Sequence, residues 1–187
     1  MESASKAASK SGQPLAVRLN MFSDIPWEKF GIMERFPNIQ FYDYTKNFVR
    51  AMDHAKGRLP GNYHLTFSRS EENEARCLNV LDAGGNVAVV FGIKSPNSKQ
   101  VAKAEREPDY AEQFKLPTEW MGYKVIDGDK TDLRFLDPKT RPGVVVGLRT
   151  KGNAFKDDTS GFIVRKFGKT GDAKTDPTNI KKNIKKY

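Results

Sequence analysis

Short apolar runs that are typical of β-strands alternate with amphipathic, helix-like segments along most of the chain. The predicted strands cover residues 15–20, 39–44, 63–68, 86–93, 123–129 and 143–150. The first four begin 20 to 25 residues apart, which leaves room for one helix in each interval. Strands and helices that alternate at this spacing form parallel βαβ units with right-handed crossovers. We therefore predict an α/β fold with a mostly parallel sheet of about six strands, either doubly wound or in part barrel-like.

Helix signals fill the intervals between the first predicted strands. Pro26 suits the first turn of a helix over residues 23–36, because a proline's missing N–H costs nothing there. Gly57 and Gly84 are typical of helix ends, where a left-handed residue is favoured. Ser70 is predicted to cap the helix that ends at Gly84.

The composition divides the chain into three parts. Residues 1–14 are small and polar and are predicted to be a flexible segment. Residues 15–164 form the predicted α/β domain, with a charged, proline-punctuated surface insertion at about 94–120. Residues 165–187 lack a clear strand or helix pattern, so we expect a disordered basic tail at the carboxyl end.

Positive charge is concentrated in that tail. The tail holds eight Lys or Arg and two Asp, whereas the other 164 residues hold 24 Lys or Arg and 21 Asp or Glu. Such a tail favours a polyanionic partner, because neutralising phosphates releases counterions; it is equally consistent with a solvated tail that aids solubility. The candidate phosphate contacts in the tail are Lys181, Lys182, Lys185 and Lys186.

Neither a disulfide framework nor a membrane span is indicated by the sequence. A single cysteine, Cys77, excludes an internal disulfide and a zinc site made mainly of cysteines, and it fits a reducing compartment. No apolar run approaches the ~20 residues needed to cross a bilayer, and the first residues lack the apolar core of a leader peptide. We therefore expect a cytoplasmic protein with no membrane partner. The sequence also contains no phosphate-binding loop, nucleophile elbow or dinucleotide fingerprint.

Polar residues follow the predicted strands at their carboxyl ends. In both α/β architectures this is the edge where ligands bind. The candidate ligand-facing residues of this rim are Asn20, Asp24, Asp43, His64 and Ser68. The candidate nucleic-acid or anion-binding residues are Lys46, Arg69, Arg149 and Lys151.

A group of aspartates follows the fifth predicted strand. Asp127, Asp129 and Asp132 are close enough in sequence to hold a hard cation such as Mg²⁺ or Mn²⁺. They do not form an EF-hand loop, because the twelfth position counted from Asp127 is Pro138. The same residues also suit a ligand-facing role without metal, and turns, which Asp-Gly and Asp-Pro pairs commonly form, are the interpretation that we favour over both. We expect no cofactor, with Mg²⁺ or Mn²⁺ as the alternative.

Several segments, taken together and in order, carry a family resemblance. They are RLNMFSDIPWE, FPNIQFYDYTKN, NYHLTFSRSEEN, GGNVAVVF, VIDGDKTDLRFLDP and VVVGLRTKG. This set resembles the gene-product-88-like proteins of phages and other mobile elements, over roughly residues 14–152. The resemblance implies a mobile-element context and no particular reaction. Family members typically carry a cysteine-rich segment upstream of the first strand, so the chain is expected to correspond to the carboxyl-terminal part of the family pattern, which favours binding or inhibition over full catalysis.

Three functions remain open at this level. The first is a non-enzymatic phage protein that binds nucleic acid or a host nucleoprotein, in host takeover or as an anti-defence factor. The second is a metal-dependent enzyme that acts on a phosphorylated or nucleic-acid substrate at the carboxyl edge of the sheet. The third is a structural subunit that completes a larger fold with a partner; the exposed sheet edge at residues 15–20 would bind that partner or a second copy of the chain.

Overall fold

The computed structural model describes Ser3, Lys10, residues 14–157 and residues 159–165. Its strands are β1 (Leu15–Val17), β2 (Ile39–Thr45), β3 (Tyr63–Ser68), β4 (Val87–Lys94), β5 (Glu119–Trp120), β6 (Tyr123–Asp127) and β7 (Val145–Thr150). Its α-helices are α1 (Ile32–Arg35), α2 (Phe48–Ala55), α3 (Glu74–Asp82), α4 (Ser98–Ala104) and α5 (Pro108–Glu112). Short 3-10 helices cover Trp27–Phe30, Arg134–Leu136 and Gly152–Lys156. No helix in these described ranges has the length and apolar character that a membrane span requires.

The strands form one mostly parallel sheet, which confirms the predicted α/β class. The strand order is β1-β2-β3-β4-β7-β6-β5, and only β5 is antiparallel to its neighbour. The sheet has seven strands rather than about six. The additional strand, β5, is two residues long, which is too short to show an alternating pattern in the sequence.

β7 is the last strand of the sheet in sequence order, but it lies near the centre of the sheet. β7 pairs in parallel with β4 on one side and with β6 on the other. Burial explains the composition of β4 and β7, because Val87, Val89, Phe91, Val145 and Val146 are inaccessible to solvent. Fully burying such a side chain contributes about 1.5–3 kcal/mol, so this strand pair is the main apolar support of the sheet.

The neighbours β3 and β4 overlap only briefly. Their pairing is limited to Phe67 and Ser68 opposite Val87 and Ala88, so the amino half of β3 has no β4 residue beside it. At the other end, Val164 makes an isolated parallel bridge to Phe91 of β4. Within the described residues, this bridge is the extent of β pairing after β7.

The prediction of one continuous helix over residues 23–36 was wrong. Gly31 adopts a left-handed conformation with φ of +68°, and it separates the Trp27–Phe30 turn from α1. Ser70 is not the cap of α3 either, because that helix begins after Asn73. The predicted left-handed residues at Gly57 and Gly84 are confirmed, with φ of +68° and +94°.

Candidate functional site

The carboxyl ends of the parallel strands meet at one edge of the sheet, as the sequence predicted. A buried polar network follows β1 and β2 there. Asp43 is fully buried and accepts hydrogen bonds from the Asn20 backbone N–H (2.7 Å), the Asn20 Nδ2 (3.1 Å) and the Tyr63 hydroxyl (2.8 Å). Burial raises the pKa of Asp43, although these hydrogen bonds oppose that shift. Asn20 Oδ1 in turn accepts from the Trp27 Nε1 (3.0 Å), which holds the loop after β1 against the sheet.

Arg50 of α2 connects the network to the Trp27–Phe30 turn. Its guanidinium donates to both carboxylate oxygens of Glu28, at 2.7 and 2.8 Å, and to the Tyr63 hydroxyl at 3.0 Å. It also forms an ion pair with Asp24, whose carboxylate accepts from the Thr45 hydroxyl at 2.8 Å. The polar groups of the network are therefore paired with one another. These contacts hold the loops after β1 and β2 in place at this edge of the sheet.

The predicted rim residues Asn20, Asp24 and Asp43 are thus brought together. Sequence reasoning missed Glu28, Arg50 and Tyr63. The available signal was Asp43 itself, since a carboxylate on the apolar face of β2 requires buried partners. Nothing in the sequence indicated which residues those partners would be.

Arg69 lies at the carboxyl end of β3 but is not presented to solvent. Its Nη1 donates to the carbonyl oxygens of Gly161 (2.5 Å) and Phe162 (2.6 Å), and its Nη2 donates to Glu74 (2.6 Å). The side chain is buried. Arg69 therefore anchors the segment around Gly161 to the sheet edge, which is a different role from the anion contact that the sequence suggested.

Arg149 is also engaged inside the protein. Its guanidinium binds both oxygens of Asp127, at 2.8 and 3.0 Å, and one oxygen of Asp129 at 3.1 Å. Its Nε donates to the Phe114 carbonyl oxygen at 2.8 Å. Burial tends to raise the pKa of Asp127, but the hydrogen bonds and charge of Arg149 outweigh it and lower that pKa. Lys151 completes the cluster with an ion pair to Asp129 at 3.3 Å.

The three aspartates proposed as metal ligands have different partners. Asp127 and Asp129 bind Arg149, whereas Asp132 lies near Arg18 (3.4 Å) and the Tyr44 hydroxyl (3.2 Å). In the part of the chain that the structure describes, no group of three or more His, Cys, Asp or Glu side chains is arranged to hold a metal ion. The geometry gives the metal alternative no support.

Exposed lysines and phenylalanine rings share the remainder of this edge. The Lys46 Nζ lies 5.7 Å from the centre of the Phe162 ring. The Arg165 guanidinium lies 5.4 Å from the centre of the Phe155 ring and also donates to the Asp157 carbonyl oxygen. We call this surface the basic rim; its residues are Lys46, Lys151, Phe155, Lys156, Phe162 and Arg165.

The basic rim is also where the lysine-rich end of the chain is attached. Val164 bridges to β4, and the next residue, Arg165, is the last one that the structure describes. The four predicted tail contacts, Lys181, Lys182, Lys185 and Lys186, lie outside the described residues.

The last two rim candidates, His64 and Ser68, have other surroundings. Ser68 ends β3, and its carbonyl oxygen accepts from the Asn73 Nδ2 at 3.0 Å. His64 is the second residue of β3 and lies near the opposite, amino edge of the sheet. Its buried ring meets the His54 ring edge-on, with centres 4.7 Å apart. The sequence placed these histidines on separate elements and did not predict their contact.

A family model described as gene product 88 matches residues 1–166, a range that includes every described element. The match confirms the family resemblance drawn from residues 14–152. No curated protein and no solved structure matches the chain.

Proposed function

We propose a non-enzymatic, nucleic-acid-binding function for this protein, which belongs to the gene product 88 family. The observation that carries the proposal is the basic rim, where Lys46 lies beside the Phe162 ring and Arg165 beside the Phe155 ring. Residues 166–187, which follow it directly, contain seven lysines and two aspartates. The rim and the following residues therefore both contribute positive charge that attracts a polyanion.

The lysines of the basic rim suit phosphate contacts because they are available. Lys46, Lys151 and Lys156 are exposed. The Lys151 side chain is 75% exposed, so its ammonium group can reach a phosphate, whereas its partner Asp129 is only 15% exposed. Arg69 and Arg149 are not assigned phosphate contacts in this proposal, since their guanidinium groups are bound within the protein.

The phenylalanines favour a single-stranded ligand. Phe155 is 38% exposed, and the Arg165 guanidinium lies next to its ring. An unpaired base can stack on such a ring, which contributes about 1–3 kcal/mol for each base with little sequence preference. A duplex keeps its bases stacked internally and gains only the phosphate contacts.

Binding of a labelled 20-nucleotide oligothymidine, followed by fluorescence anisotropy between ~50 and ~200 mM salt, tests the proposal. We expect steep loss of affinity with salt and weaker binding of a duplex of equal length. The double variant Lys151→Gln/Lys156→Gln should reduce the slope of log K against log salt by about 1.4, because each phosphate contact to a single strand contributes about 0.7.

The matched control is Lys56→Gln/Lys124→Gln. It removes the same charge from two exposed lysines at the other edge of the sheet. We expect its slope to match that of the unchanged protein. Absence of binding at the lowest salt, or equal slopes for the two double variants, would contradict the proposal.

The nucleic acid can belong to a host nucleoprotein, such as a defence complex. Co-purification from host cells with and without nuclease distinguishes binding through nucleic acid from direct binding to a host protein. Partners that are lost after nuclease treatment indicate binding through nucleic acid. A host protein that is retained would replace this proposal with direct protein recognition.

A second candidate, self-association, rests on the edge strand β1. Its three residues pair with β2, and no described strand pairs with its other side. The next loop exposes Met21 and Phe22, which are 68% and 98% accessible. Strand addition between two copies would cover both features. Light scattering should then show a dimer that Phe22→Ser converts to a monomer; a monomeric unchanged protein would exclude this candidate.

A further inference from the structure

A cavity of about 270 Å³ lies at the amino edge of the sheet, away from the basic rim. It is adjacent to the part of β3 that has no β4 neighbour. The side chains that line it include Gln40, His54, Tyr63, His64 and Lys139. The loops around Gly61 and Gly84 form much of the remaining wall.

The two histidines leave hydrogen-bonding capacity unused in this wall. The His54 Nδ1 is buried and has no hydrogen-bond partner among the described residues. His64 is also buried, and its contact with the Thr66 hydroxyl is long, at 3.5 Å. A buried ring nitrogen without a partner is costly, which favours an occupant that can pair with it.

The charges that face the histidines are positive. Burial and the charge of Lys139 lower the pKa of His54 to about 4, and burial, His54 and Lys139 lower the pKa of His64 to about 3. Arg134 acts on His64 in the same direction.

The neighbouring carboxylates do not offset this positive field. Asp53 of α2 is paired with Arg58. Asp137 faces Arg134 at 3.4 Å. Two further cations on this side are exposed: Lys56, and Arg141, whose side chain lies next to Gly84 in the cavity wall.

We propose that this cavity binds a small oxyanion, such as inorganic phosphate or the phosphate group of a small monoester, between His54, His64 and Lys139. Lys139 supplies the charge, and a histidine N–H donates a hydrogen bond to an anion oxygen. The cavity is just below the ~300–1,000 Å³ of sites for drug-sized ligands, so it suits a smaller molecule. A metal cation is a poor alternative, because Lys139 in the cavity wall would repel it.

Anion binding in this cavity takes up protons. A negative charge beside the histidines raises their pKa, so affinity should increase as the pH falls from about 7 toward 5. Sulfate separates this effect from titration of the ligand, since its charge stays constant over that range. The proposal is independent of nucleic-acid binding at the basic rim.

The chain contains two histidines, so histidine NMR signals report on this cavity alone. We expect sulfate and phosphate to shift both signals in the full-length protein with saturation, and sulfate to raise both apparent pKa values. Thymidine 5′-monophosphate with thymidine as its control distinguishes a monoester from the free anion. No shift with any anion up to about 50 mM, well above a dissociation constant of about 1 mM, would overturn the proposal.

Lys139→Gln tests the charge without removing a buried group, because Lys139 is exposed. Loss of a charge-assisted contact should weaken sulfate binding about tenfold. Lys56→Gln, which removes an exposed lysine that does not line the cavity, should retain most of the affinity. Equal weakening by the two variants would indicate a general charge effect and overturn the assignment.

Discussion

Replacing Arg50 with methionine should destabilise the protein by about 3–5 kcal/mol, which is the cost of leaving a buried charge without its partner. The Arg50 side chain is 6% exposed, and its main partner Glu28 is 7% exposed, so water cannot replace the lost contact. Methionine keeps much of the packing volume. Asp24 is affected less, because the Thr45 hydroxyl and the Lys46 backbone N–H still donate to it.

Urea denaturation at pH 7, with the unfolding free energy extrapolated to zero denaturant, measures this effect. Arg58→Met is the matched control. Arg58 also pairs with an aspartate, Asp53, but its side chain is 53% exposed, so its loss should cost about 0.2–1 kcal/mol. The pair Arg50→Met/Glu28→Gln should recover part of the loss, since it removes the orphaned charge.

Two outcomes for these variants would contradict the expected role of the buried Arg50–Glu28 pair. If Arg50→Met costs no more than Arg58→Met, the network does not hold the rim. If Glu28→Gln restores nothing in the Arg50→Met background, the loss comes from packing and not from the unpaired carboxylate.

Three other measurements test the fold, the proposed function and the histidines. Deletion of residues 166–187 should weaken oligothymidine binding by anisotropy while the melting temperature stays within a few degrees, because every described strand and helix precedes residue 166. Gly143→Ala should lower the unfolding free energy by about 3 kcal/mol or more in urea titrations, since a Cβ there would overlap a backbone carbonyl oxygen. Because the pKa values of His54 and His64 are lowered to about 4 and about 3, the folded state binds fewer protons, and stability should fall as the pH decreases below 6.5. The loss of unfolding free energy at pH 5 should be roughly 2 kcal/mol for each histidine. His54→Gln should remove the part of this pH dependence that His54 causes. Unchanged stability from pH 7 to 5 would contradict the lowered pKa values.

The elements with strong periodicity could be predicted, and the elements shaped by distant contacts could not. β4 and β7 are recognisable as apolar runs because both of their faces are buried. The Trp27–Phe30 turn looks like part of a helix in sequence. Its conformation instead depends on Asn20 and Arg50, which lie 7 and 22 residues from the residues they bind. Local propensity carries no information about such contacts.

The same limit applies to the site. The meeting of Asn20 and Asp43 follows from parallel strands alone. The internal hydrogen bonds of Arg69 and Arg149 do not follow from parallel strands. Their partners include the backbone carbonyls of Gly161 and Phe114, which lie 92 and 35 residues away. A charged residue at a strand end is equally typical of a free contact and of an internal anchor, and only the surrounding loops decide between them.

The position of β7 also has a consequence during synthesis. The strand that joins β4 to β6 is the last of the described strands to leave the ribosome, so β1 to β4 and β5 to β6 emerge before the strand that links them. Until residue 150 has emerged, β4 lacks a neighbour along an apolar edge of the kind that recruits chaperones or other chains. A chain that ends before Val145 would therefore have an incomplete sheet, in which β4 and β6 are not joined.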